Sequence, residues 1–189
     1  LFEYYIDNHV FNTFPVGTQH VIAREMQYYT GIGLDNHILL CHLGDCAFQT
    51  QALACYAYVH MIDDSTQDVD RIIEEYSRDM YGTAGGTMLR WHNEFEDAMR
   101  YCATFGYARE APSEWGPRSK KIRSELKKSL KRLVAANLLV KRAKSETTDS
   151  VQIARIATQE WVNEFAVLLV NGKLRQLEAE VYFARVMSS

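Results

Sequence analysis

The sequence predicts a mainly α-helical protein, a C-terminal helical bundle preceded by a short βαβ unit. Three observations carry that reading. After Asp45, apolar residues recur at helical spacing, as in Val69, Ile72, Ile73, Tyr76 and Met80. Glycines and short polar runs set the helical stretches apart, notably Asp63-Asp64-Ser65-Thr66, Gly82 and residues 145–149. Only residues 1–45 show the two-residue alternation of strands, with Phe2, Tyr4 and Ile6 on one face and Glu3, Tyr5 and Asp7 on the other.

The first strand ends before Pro15 and Gly17 break the chain, and Thr18 is placed to cap a helix reaching about Tyr29. Val21, Ile22 and Met26 are its inward residues. Gly31-Ile32-Gly33 turns the chain into a second short strand over 37–41. A strand, helix and strand of these lengths form a βαβ unit with parallel strands. Two parallel strands alone leave faces and edges uncovered. Residues 1–45 are therefore expected to be the end of a larger α/β domain whose other strands lie outside this sequence. The alternative is a small mixed α+β cap on a helical domain spanning 46–189.

From Ala52 to Ile62 almost every residue is apolar, which predicts a helix buried on most sides. Asp68 caps the next helix, because a carboxylate accepts the free amides of a first turn. Gly82 stops that helix, and Gly85-Gly86 allows another to start close by. A helix over 87–105 places Met88, Trp91 or His92, Phe95, Met99 and Cys102 on one face. Residues 108–117 read as a loop. A long basic helix over 119–144 follows, with Ile122, Leu126, Leu130, Leu133 and Asn137 as its stripe. An apolar helix over 151–171 carries Trp161, Phe165, Leu168 and Leu169, and a last helix is expected from Gly172 with Leu174, Leu177 and Val181.

At 189 residues the chain is long enough to bury roughly 70% of its unfolded surface in one core. The formal net charge of -3 argues against nucleic acid or an anionic membrane as partner. No apolar run approaches the roughly 20 residues needed to span a bilayer. Cys41, Cys46, Cys55 and Cys102 lack the CxxC spacing of a metal site, and Cys46 and Cys55 lie on or beside apolar helix, where reduced buried thiols are expected. The chain opens on Leu1, which leaves its true start and any export signal open.

Three places could carry chemistry. The run from Asp63 to Asp68, one turn after His60, could hold magnesium as the aspartate-rich motif of terpenoid synthases does. Against this, Asp63 and Asp64 fall in a loop, Asp68 serves as a cap, and no second metal motif follows. The second place is the end of the first strand, where Tyr5, Asp7, Asn8 and His9 gather at the side on which parallel α/β folds bind ligands. His42 and Asp45 follow the second strand at the matching end. Glu3 and Asp7, about 13 Å apart along a strand, are too distant for a glycosidase pair, whose carboxylates sit about 5–9.5 Å apart. The third place is the basic helix, with eleven lysines and arginines against one glutamate between Arg118 and Lys144. It lacks the interleaved aromatics of single-strand binders and reads as a solvated face.

A family resemblance runs through Tyr58, the Asp68-Val69-Asp70 helix start, Ile72-Ile73-Glu74-Glu75-Tyr76, Met80-Tyr81-Gly82-Thr83-Ala84 and Met88. This stretch resembles the C-terminal helical part of a bacterial family of glycoside hydrolases whose (β/α)8 barrel is related to α-glucuronidases and β-hexosaminidases. In that family an apolar helix ends in a tryptophan-aspartate/asparagine-proline turn, and Met61-Ile62-Asp63 stands there instead. Residues 139–143 and 151–169 resemble the closing helix pair. The resemblance implies a carbohydrate-active enzyme, extracytoplasmic, with no cofactor, whose catalytic acids lie on earlier barrel strands absent here. It gives Tyr5, Asp7, Asn8 and His9 as substrate-binding residues by position. Carbohydrate would be bound through a barrel largely absent from this chain, and the isolated chain is expected to be inactive. A helical interaction or scaffold module is the rival class, with association to the missing domain or self-association open.

Overall fold

The computed structural model describes residues 2–3, 17–34, 38–39, 48–104 and 119–187. The chain is mainly helical, as its periodicity predicts. In order, the elements are β1 (Phe2–Glu3), α1 (Gln19–Gly31), β2 (Ile38–Leu39), α2 (Phe48–Asp63), α3 (Val69–Tyr81), a 3-10 turn (Gly82–Ala84), α4 (Gly85–Thr104), α5 (Ser119–Ser145) and α6 (Ser150–Met187). β1 and β2 pair in parallel, Phe2 opposite Ile38 and Glu3 opposite Leu39. The expected βαβ remnant of a barrel is not seen. Among the described residues the only strand pairing is this two-residue parallel contact.

Two apolar clusters hold the helices together, and α2 and α3 contribute to both. The larger cluster is centred on Ile73 and Tyr76 of α3, Met88, Trp91 and Phe95 of α4, Leu126 and Leu133 of α5, and Ala166 and Val170 of α6. The smaller one joins Ile22, Ala23 and Met26 of α1 to Ala54, Ala57, Tyr58 and Met61 of α2 and Ile72 of α3. Helix α2 is buried on most sides between Ala52 and Ile62, as its composition predicts, and within that stretch only Val59 and Ile62 are exposed.

Helix α3 has both ends tied down. The Asp68 carboxylate accepts from the Asp70 amide at 3.0 Å, and Gly82 ends the helix at φ 53°, in the left-handed region that a side chain rarely adopts. The carbonyl of Met80, left free at that end, accepts from Arg155 Nη1 of α6 at 3.0 Å.

Helices α4, α5 and α6 form an antiparallel trio sewn together by polar groups. Ser129 Oγ donates to the carbonyl of Ala98 at 2.7 Å. Asn163 accepts from Trp91 Nε1 at 3.2 Å and donates to the carbonyl of Leu133 at 3.0 Å. The buried stripe of α5 runs through Ile122, Leu126, Ser129, Leu133, Ala136, Val140 and Ala143, with Leu130 and Asn137 only half buried. Of the expected stripe, Ile122, Leu126 and Leu133 are buried, and the small residues Ser129, Ala136 and Ala143 were not anticipated in it.

The break expected at Gly172 is absent, and α6 runs unbroken from Ser150 to Met187. Helix propagation is cooperative, so a single glycine, costing about 1 kcal/mol, does not stop it. The Asp149 carboxylate opens this helix by accepting from the amides of Val151 and Gln152 at 2.8 and 2.9 Å. No helix among the described residues is long and apolar enough to cross a membrane.

Candidate functional site

A polar cleft lies where α1 begins, between α3 and α4. Thr18 occupies the N-cap position of α1, but its side chain makes no capping hydrogen bond to that helix. The cap comes from another helix: Glu96 Oε1 of α4 accepts from the His20 amide at 3.1 Å. The other oxygen, Oε2, lies 2.5 Å from His20 Nδ1, and His20 Nε2 meets Asp70 Oδ1 of α3 at 3.1 Å. One imidazole thus bridges two carboxylates on two different helices.

The sequence permits this approach at Gly17. A Cβ at that position would lie 2.7 Å from Glu96 Cβ and 2.8 Å from its Cα, closer than atoms can pack. With both ring nitrogens facing carboxylates, the hydrogen bond to Glu96 above all raises the His20 pKa to about 9, against an opposing effect of burial. At neutral pH His20 is an imidazolium with both N–H groups engaged. It is therefore a clamp rather than a general base, because a base needs a free lone pair near the working pH.

Beside the clamp opens a cleft of about 670 Å³, walled among the described residues by His20 and Arg24 of α1, Asp70 of α3, and Asn93, Asp97 and Arg100 of α4. Its walls carry both charge signs and a neutral amide. Asp97 also binds Arg132 of α5 at 2.8 Å and Arg100 at 3.1 Å. Such a lining offers hydrogen-bond donors and acceptors to a small polar ligand.

Tyr5, Asp7, Asn8 and His9 lie outside the described residues, as do His42 and Asp45. The aspartate run is described, and its members act locally. Asp64 accepts from the Thr66 hydroxyl at 2.7 Å and from its amide at 2.9 Å, and the hydroxyl contact chiefly lowers its pKa. Asp68 caps α3. Among the described residues no group of three or more His, Cys, Asp or Glu is arranged to hold a metal ion.

Much of the charge on the basic helix is matched within the bundle. Arg132 pairs with Glu94 and Asp97, Arg123 with Glu178, Arg142 with Glu146 and Lys144 with Glu160. Cys55 is half-buried and in no disulfide, while Cys41, Cys46 and the side chain of Cys102 lie outside the described residues.

Sequence reasoning passed over His20, Glu96 and Asp70. The available signal was Glu96 itself, a carboxylate beside Phe95 on a helix whose neighbouring positions, Phe95, Ala98 and Met99, are all buried. Buried carboxylates need a partner, but only the fold identifies it, 76 residues away. His92, offered with Trp91 for the inward face of α4, is another titratable group inside the bundle. It is buried against Tyr76, Tyr81 and Trp91 with no hydrogen-bond partner at Nε2, and burial lowers its pKa to about 3.

Comparison of the chain with protein-family models, with curated proteins and with solved structures finds no match.

Proposed function

We propose that this chain is the C-terminal helical portion of a carbohydrate-active enzyme of the glycoside-hydrolase kind, backing a (β/α)8 barrel that supplies the catalytic acids. The observation that carries the reading is the α3 unit, with Asp68 as cap, an inward apolar stripe and a stop at Gly82 in the left-handed region. These are the residues on which the family resemblance rests, and each has a physical task there. Under this reading Tyr5, Asp7, Asn8 and His9 follow β1 and contribute one wall of a sugar site, while the His20 clamp ties α1 to the helical bundle.

The test uses aryl glycosides and aryl glucuronides. The isolated chain should show no turnover and affinity no better than about millimolar, or roughly 4 kcal/mol. A longer protein carrying the barrel should be active, and Asp7→Ala in it should reduce that activity. Turnover by the isolated chain would overturn the incomplete-site reading. Inertness of the longer protein on every substrate would leave a helical interaction module instead. The observation favouring that second reading is the outer face of α6, where Trp161 and Leu168 stand in solvent.

A further inference from the structure

Helix α6 has two apolar faces, and its own chain covers one of them. Ile156, Asn163, Ala166, Val170, Leu174 and Leu177 are buried in the bundle. On the opposite side, positions 154, 157, 161, 165, 168, 172, 179, 183 and 186 fall within a stripe about 80° wide at 3.6 residues per turn. Leu168 is 69% exposed, Tyr182 65%, Phe183 64% and Trp161 54%. Trp161 is already ordered, its ring stacked on Phe165 at 5.5 Å and 1°. Midway along the stripe, no heavy atom of the described residues lies within 4 Å of the Cβ position at Gly172.

We propose that this face is a homodimer interface, in which two copies of α6 pack antiparallel across a two-fold axis near residue 170. Sizes complement each other in that register. Trp161 falls opposite Ala179 of the partner, Tyr182 opposite Ala157, Phe183 opposite Thr158, and Leu168 beside Gly172. A two-fold axis repeats each of these four contacts. Gly172 then admits a leucine from the other copy.

Charge selects the same register. Glu164 and Arg175 lie on one flank of the stripe, about three turns apart and nearly equidistant from residue 170. A two-fold axis across the helices brings equal flanks together, so each Glu164 meets the partner's Arg175. Within its own chain Glu164 forms no ion pair among the described residues, and Arg175 reaches only Glu178, at 3.6 Å. A parallel arrangement would set like charges side by side. The stripe offers on the order of 800 Å² per copy, the area a stable interface of ordinary size needs. The proposal stands independently of the carbohydrate reading.

Sedimentation velocity of the intact chain over about 1–100 µM, a range bracketing affinities typical of such areas, tests it. The wild-type chain should sediment as a dimer and Leu168→Arg as a monomer with unchanged helical circular dichroism. Glu164→Arg and Arg175→Glu should each weaken dimerisation about tenfold, and the double reversal should restore it. Gly172→Leu removes a helix-weakening residue yet blocks the partner's leucine, so it should raise the thermal stability of the monomer while abolishing the dimer. A wild-type monomer throughout the range overturns the proposal. A dimer that the double reversal fails to restore overturns the register.

Discussion

The indole Nε1 of Trp91 donates to Oδ1 of Asn163 at 3.2 Å, joining α4 to α6 inside the core. Both residues are buried, and Asn163 uses its amide nitrogen to reach the Leu133 carbonyl of α5, so one side chain registers three helices. Asn163→Ala leaves the indole N–H buried without an acceptor and should cost about 2–3 kcal/mol in urea unfolding. Pairing Asn163→Leu with Trp91→Phe removes donor and acceptor together, and this double variant should be less destabilised than Asn163→Leu alone. Equal losses would show that the hydrogen bond carries no specific weight.

The clamp at His20 makes a pH-dependent contribution. Its folded pKa, raised to about 9 from 6.5, means that the native state holds its proton more tightly than the unfolded chain. That stability is fully present below about pH 6.5 and is lost as pH rises through about 9. Because the ring is 43% exposed, solvent screening limits the effect to about 1 kcal/mol. Wild type minus His20→Gln stability, followed from pH 6 to 10, should fall across that window, and a flat difference would contradict the bridging geometry.

His92 acts with the opposite sign. Burial alone lowers its folded pKa to about 3, so the unfolded chain binds the proton more readily between about pH 6.5 and 3. Native stability is therefore lost as pH falls through that range, by about 2 kcal/mol at pH 5. His92→Phe should unfold at a lower pH than the wild type, read by the acid midpoint. An unchanged midpoint would mean that His92 is hydrated in the native state.

Asp68→Ala removes the carboxylate that accepts from the Asp70 amide and should cost about 1 kcal/mol. Asp68→Asn, which still offers an oxygen to that amide, should recover most of it. Calorimetry with magnesium should give the same trace for wild type and Asp68→Ala. Saturable magnesium binding lost on Asp63→Ala would instead revive the metal reading of this run.

Gly17→Ala tests the approach of α1 to α4. The added Cβ meets the Glu96 backbone and has no flexible neighbour to displace, so α1 must move away. The variant should lose about 1–3 kcal/mol, typical of overpacking, and His20 should titrate nearer its ordinary value by NMR. A His20 pKa that stays near 9 would show that the clamp tolerates the extra atom.

Sequence alone determined most of the helices, because their stripes, caps and stops are local, although it split α6 at Gly172, where the helix runs on. The stripe of α3, its cap at Asp68 and its stop at Gly82 need no distant information. The aspartate run was legible as capping and turn chemistry for the same reason. What the sequence could not settle was which apolar face goes inside. Trp161 and Leu168 follow the helical period as well as Ala166 and Val170 do, yet the first pair faces solvent and the second is buried. Small residues such as Ser129, Ala136 and Ala166 are fully buried too, and they carry little signal of their own. The His20–Glu96–Asp70 bridge was equally illegible, since it joins three separate helices. Local preference writes the elements, while burial and charge pairing across long sequence separations are decided only when the helices pack.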